Sequence, residues 1–367
     1  MSIDRVPPGI DSPSTPETPE TPETPPTPVR VSRWRRLVPV LALMALAPWT
    51  AECSWGGFTA VDALAVVVFL GPMYGGAALL IRETVRRTGG GWPAIALLAA
   101  AFGVVQAGLV DQSLFNPEFL ADTEFADTQA AANATLVPGL GFSAQQAVNY
   151  IGNHVALSIC APIAIVESFL TPRRRREPWL GGWGLAVIGV VYLLGSLLVF
   201  SDDGGRKGFL ASPVQLTFAV ALALALIGAA LLSRRRRGEQ PLTGRKPAAL
   251  PEDQPRRAPH PIWPALVAFG GYLGMNLVPG WIGVGLTVTV AVVATTAIVA
   301  WSRRTGWGQR HVLAGWAAGL VCAAAFAYAV PNYAPASPTE ALIGDVAISV
   351  ITLALVGGAF WRLRAER

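Results

Sequence analysis

Charge is what this sequence has least of. Only 14% of its 367 residues are charged, where soluble proteins approach about a quarter. Lysine occurs twice, at 207 and 246, against 26 arginines. Histidine and cysteine occur three times each. These shortages exclude several classes of protein. Cys53, Cys160 and Cys322 are too scattered for a disulfide framework or a C-x-x-C pair. His154, His260 and His311 form no H-E-x-x-H motif, and a multi-histidine metal site lacks the ligands. There is no P-loop, so no cofactor and no metal is expected. No basic stretch is interleaved with aromatic residues as a single-strand binder needs, so nucleic acid is not an expected partner. The arginine bias and abundant alanine suggest a GC-rich bacterial genome, and hence a plasma membrane.

What the chain has instead is long apolar blocks. About 20 apolar residues span a bilayer as a helix. Ten such blocks can be drawn: 37–55, 58–81, 92–111, 145–170, 179–200, 212–232, 262–280, 282–301, 312–330 and 339–361. The first is interrupted by Pro39 and Pro48 and carries Glu52 near its end. The expected fold is all-α: a polytopic membrane protein of about ten transmembrane helices, with both termini cytoplasmic and the lipid bilayer as its solvent. Basic residues support this count. With the N-terminus inside and the sides alternating, 26 of the 28 Lys and Arg fall in the cytoplasm, and only Arg206 and Lys207 fall outside. The net charge of +5 is then a matter of orientation. Thr59-x-x-Asp62, Ser143-x-x-Gln146, Ser212-x-x-Gln215 and Ser337-x-x-Glu340 read as helix caps on the outer side, two of them with proline at the first helical position.

Four regions follow. Residues 1–33 carry a Pro/Thr/Glu-rich tract with no apolar face and read as a disordered cytoplasmic tail. Residues 34–232 hold six helices and one long outer loop, 112–142, which bears Glu118, Asp122, Glu124 and Asp127 and no base. Residues 233–261 form an Arg/Pro-rich cytoplasmic linker. Residues 262–367 hold four more helices, expected to pack with the first six rather than as an independent domain.

Function must be sought in polar residues inside spans, because there each has to face protein or a water-filled cavity. The third helix ends in FGVVQAGLVDQSLFN, residues 102–116. On an α-helical wheel Gln106, Ser113 and Asn116 share one side, while Asp111 points elsewhere. On the fourth helix Gln146, Asn149, Asn153, Cys160 and Glu167 recur at spacings of three, four or seven and make one stripe, with His154 and Ser158 on its flank. His154 is the one histidine inside a span; it reads either as a base, proton relay or ligand-binding donor, or as a buried ring bonded to Gln106 or Asn153. Glu167 is expected to pair with Arg173 or Arg174, and Glu83 with Arg87 one turn on. Gly71–Gly75, Gly270–Gly274 and Gly315–Gly319 have the spacing of close helix contacts.

The stretches GGWPAIALLAAAFGVVQAGLVDQSLFNPEF and HVALSICAPIAIVESF resemble an uncharacterised prokaryotic family of multi-pass membrane proteins, actinobacterial or archaeal in type, over about residues 70–185. The family is in turn distantly similar to CAAX-type intramembrane proteases. The resemblance implies a glutamate pair at the positions of Gln106 and Ala107 and a histidine at His154, activating water together. This chain departs at the first of these, since neither glutamine nor alanine is a general base. The expectation is therefore non-catalytic: binding or passage of a small molecule or lipid, or a partner role in the membrane. The pocket is placed between the third and fourth helices, opening toward the acidic loop, with Gln106, Asn149, Asn153 and His154 as its walls. The alternative is an intramembrane hydrolase, inactive or altered here. Glu167 cannot assist His154 in it, being thirteen residues along the same helix, about 20 Å away.

Overall fold

The structure is a computed structural model that describes residues 33–238 and 256–366. The N-terminal tail and most of the linker therefore lie outside the described residues. Among the described residues the architecture is all-α, and the chain is a multi-pass membrane protein. Eight helices are long and apolar enough to cross a membrane, and two shorter apolar ones complete the set. They are α1 (Arg33–Pro48, continued by Trp49–Cys53), α2 (Ala60–Arg87), α3 (Trp92–Val110), α4 (Ala144–Ser168), α5 (Gly182–Phe200), α6 (Pro213–Gly238), α7 (Ile262–Leu277), α8 (Gly280–Ser302), α9 (Gln309–Phe326) and α10 (Pro338–Arg364). All four expected caps form: Thr59, Ser143, Ser212 and Ser337 each accept from the backbone N–H three residues on. The long loop carries a short helix, Ala126–Ala132.

The helix α4 is the axis of the bundle. It packs against α1, α2, α3, α8, α9 and α10, and 67% of its apolar window is buried, against 6% for α5. The two halves of the chain share a core: Leu157, Ala164 and Ile165 of α4 pack with Leu313, Ala317 and Leu320 of α9 and with Ala359 and Leu363 of α10. A second cluster joins α1, α2, α3 and α4, and a third joins α3 to α6. Peripheral α5 and α6 show Leu and Val on their outward faces, as the bilayer allows.

Close approach sets how the helices cross. A Cβ on Gly75 would come within 2.6 Å of the Met44 backbone, so α1 and α2 meet backbone to backbone there. The Gly270–Gly274 pair does not act this way: no atom lies within 4 Å of a Cβ built on either. At Gly319, by contrast, the ring of Tyr272 sits at 3.5 Å.

One end of the bundle is sealed by ions. The Arg82 guanidinium, fully buried, bonds Glu83 at 2.6 Å and Glu167 at 3.2 Å. It also lies 3.6 Å over the ring of Trp179 and donates to the carbonyl of Arg175 at 2.9 Å. Arg86 forks onto both oxygens of Glu167, at 3.0 and 2.7 Å. Glu83 also accepts the backbone N–H groups of Trp179 and Leu180. Glu167 thus pairs with arginines of α2, not with Arg173 or Arg174. The four-arginine run lies on a turn of its own, Pro172–Arg176. From it Arg175 reaches Glu366 instead, at 2.6 and 2.8 Å. Glu83 meets its expected partner Arg87 only at 3.6 Å, its closer contact being Arg82.

Candidate functional site

Toward the opposite end, α4 and two of the helices packed on it, α1 and α3, depart from regular geometry in one layer. Trp49–Cys53 in α1, Gln106–Val110 in α3 and His154–Cys160 in α4 are π-helical. Each such turn holds one extra residue, frees a carbonyl from its usual partner, and recurs at functional sites. In α4 the N–H of Ala161 bonds back to Ala156, and the released carbonyl of Leu157 accepts Thr50 Oγ1 of α1 at 2.7 Å. In α3 the N–H of Asp111 bonds Gln106 at 3.0 Å, and the released Ala107 carbonyl takes the N–H of Leu114 at 2.9 Å. In α1 the Thr50 and Ala51 carbonyls are met by the side chains of Ser54 and Trp55. The three turns carry Glu52, Gln106 and His154.

The π turn overturns the helical wheel of α3. Residues five apart stand about 140° apart on an α-helix, which places Asp111 away from Gln106. The wider turn brings them together, and Gln106 Nε2 donates to Asp111 Oδ2 at 3.3 Å. Asp111 Oδ1 accepts the N–H of Ser113 at 2.9 Å. Gln112, Ser113 and Asn116 are buried. Gln112 and Asn116 tie the chain to Ala211 and to the Arg206 carbonyl, at 2.8 and 2.9 Å. These two are structural fastenings, their side chains bonded to the backbone before α6.

His154 bonds neither Gln106 nor Asn153. Its Nδ1 lies 3.0 Å from Ser158 Oγ on its own helix, and its ring packs on Tyr74 and Phe102 with centroids 5.8 and 5.5 Å apart. Helix α3 can come this close because of Gly103, where a Cβ would stand 3.1 Å from the Cβ of His154. Tyr74 in turn hydrogen-bonds Glu52. Ser158 is only 1% exposed, and no carboxylate orients the imidazole, so the pair fixes the ring and is not a nucleophile with its base. Asn153 Oδ1 accepts from Tyr272 of α7 at 2.8 Å. Asn149 is half-buried and makes no side-chain hydrogen bond among the described residues.

The α4 stripe is therefore split by its own π turn. Asn149 and Asn153 stay in the upper half, Cys160 is sealed in the core, and Glu167 belongs to the arginine cluster. Of the four expected wall residues, Gln106 and His154 hydrogen-bond other partners, Asp111 and Ser158, while Asn153 turns to α7.

Two carboxylates missed as site residues join them. Glu52 and Asp111 are within electrostatic reach of one another, and Tyr150 is within reach of Asp111. No ion pair among the described residues involves either acid. Two buried polar atoms here have no hydrogen-bond partner, Gln106 Oε1 and Tyr150 Oη. Both acids are half-buried, as are Tyr150 and His154. A sequence signal did exist: Glu52 and Asp111 sit at the ends of apolar runs with no base within a helical turn.

Above this layer four rings form a cap. Tyr333 packs on Phe125, Phe58 and Trp55 with centroids 4.9, 5.1 and 5.5 Å apart. Phe125 comes from the long loop, and Tyr333 from the turn before α10. Their seat is the turn at Gly56, held at φ 91° with a Cβ position 2.9 Å from the Ala327 backbone, which only glycine fits. The N–H of Tyr333 and the amide of Asn332 bond the carbonyls of Gly57 and Gly56. Burial, then the nearby Glu52, Tyr150 and Asp111, hold the Tyr333 phenol well above its ordinary pKa.

No group of three or more His, Cys, Asp or Glu side chains that could hold a metal ion occurs among the described residues. No family profile, curated protein or solved structure matches this chain.

Proposed function

We propose that the chain is a plasma-membrane protein of a bacterium, with both termini in the cytoplasm, that binds a small molecule in a polar pocket between α1, α2, α3 and α4. The arginine-rich end faces the cytoplasm and the capped acidic end faces outward, in accord with the placement of 26 of 28 basic side chains. One observation carries the reading. Three π turns on three helices set Glu52, Gln106 and His154 in one layer, where Gln106 Oε1 and Tyr150 Oη are left without partners. Buried polar groups are nearly always satisfied, and orphans grouped in one place await a ligand or water. The role follows as binding or passage, with the lipid bilayer as surrounding and no catalytic residue assigned.

The test is accessibility. In a chain whose three native cysteines are replaced, Tyr150→Cys should react from outside with a membrane-impermeant thiol reagent, whereas Ser158→Cys should not. Equal inertness of both would remove the pocket. A hydrolytic reading has one contact in its favour: through Tyr74, Glu52 comes one ring away from His154, and a carboxylate near a histidine is what water activation uses. Turnover of a peptide panel that is lost in His154→Ala would raise it above binding.

A further inference from the structure

We infer that this pocket takes a small organic cation, an ammonium whose charge meets Glu52 and Asp111 and whose alkyl surface meets the aromatic cap. The inference rests on the reading of the site as a ligand pocket and adds the chemistry of the ligand.

The hydrogen-bonding inventory points to it. The layer offers acceptors: the two carboxylates and the free Gln106 Oε1, on a side chain only 2% exposed. Of its donors, Tyr74 is used on Glu52 and Gln106 Nε2 on Asp111, which leaves the Tyr150 hydroxyl as the free one, able to donate or accept. What is missing is positive charge. A carboxylate in a low-dielectric interior is costly unless paired. Every ion pair among the described residues lies elsewhere, and the one histidine in the layer is bonded to a serine. The opposite end of the same bundle pairs each buried acid with arginine, so the lack here is local.

An anion would meet two carboxylates and, outside them, the loop acids Glu118, Glu124 and Asp127, Asp122 being paired with Lys207. The same acids attract a cation toward the mouth. A hard metal ion takes six or more oxygens, several of them carboxylate, and the described residues supply no set of three acidic or imidazole ligands. The cap favours an organic cation over a bare one. Trp55, Phe58, Phe125 and Tyr333 are all half-buried, and aromatic faces attract alkylammonium groups.

The experiment measures binding to the full-length chain in nanodiscs by calorimetry. Its probes are choline, tetraethylammonium and phenyltrimethylammonium, and the uncharged carbon isostere of choline, in which a tert-butyl group replaces trimethylammonium. At least one ammonium should bind, its isostere should not, and Glu52→Gln and Asp111→Asn should each weaken it by about tenfold or more, which is about 1.4 kcal/mol. Thermal unfolding of both variants confirms that they are folded. If the isostere binds as well as choline, or neither variant changes the affinity, the charge argument is overturned while the pocket stands. If no ammonium binds, or if sodium or calcium alone does, the inference also falls. The labelling of Tyr150→Cys decides separately whether the pocket falls with it.

Discussion

The two ends of this bundle handle buried acids in opposite ways. At the arginine-rich end, Glu83 and Glu167 are fully buried, and both are bound by Arg82, with Arg86 and Arg87 adding to them. Backbone N–H groups of Trp179 and Leu180 complete the shell of Glu83. At the other end Glu52 and Asp111 have only uncharged partners, Tyr74, Gln106 and Ser113, and two neighbouring polar atoms have none. Helix geometry differs in the same sense. The arginine end is built on regular α-helix, while the aromatic-capped end gathers three π turns. A network with every group satisfied holds helices in register. A layer short of positive charge is what the proposed cation would complete.

Deleting the charge at each end should give unequal results. Glu167→Gln leaves two arginines in the interior facing a lost partner, and breaking such a network costs about 3–5 kcal/mol. Glu52→Gln removes a carboxylate that has no base and whose burial is itself a cost, and should leave stability unchanged or raised. Thermal unfolding in detergent compares them, and equal losses would erase the distinction drawn between the ends. Next in size is Gly103→Ala, whose methyl would meet His154 and Ile151 at 3.1 and 3.2 Å. Overpacking of this kind costs about 1–3 kcal/mol. A neutral result would mean that α3 and α4 are free to part at this layer. The smallest effect belongs to the surface pair Lys207–Asp122. The Lys207 ammonium holds the Asp122 carboxyl below its ordinary value of 3.8. Its contribution is therefore present above about pH 4 and is lost as pH falls through the lowered value. Because Asp122 is exposed and the pair is screened, Lys207→Gln should leave the unfolding midpoint unchanged at neutral pH. A clear drop there, absent in acid, would show the loop to be clamped by this pair.

Much of the architecture was legible in the residues. Runs of about 20 apolar residues, and arginines sorted to alternate gaps, follow from lipid and membrane potential alone, and the cap residues mark where helices begin. The weak first block does form a helix, although Pro39 and Pro48 lie within it. The candidate site was only half legible. Gln106 and His154 stand out as polar residues in apolar runs. Asp111 was turned the wrong way by a wheel that assumes 3.6 residues per turn, and the α4 stripe looked continuous for the same reason. Tyr150 and Tyr333 carry no signal of their own, since tyrosine near a span end is ordinary belt material, and Tyr74 sits unmarked in the middle of α2.

The amino-acid sequence by itself determined that this chain crosses a membrane many times and how its elements alternate, because burial of backbone in lipid leaves helix as the economical answer for each apolar run. Only the tertiary structure decided which acids are paired. Glu167 finds arginines 81 and 85 residues away, and Glu52 finds a tyrosine and no base. That choice depends on helix rotation, which one extra residue in a turn resets, and on which helices become neighbours. Neither is encoded in any local pattern.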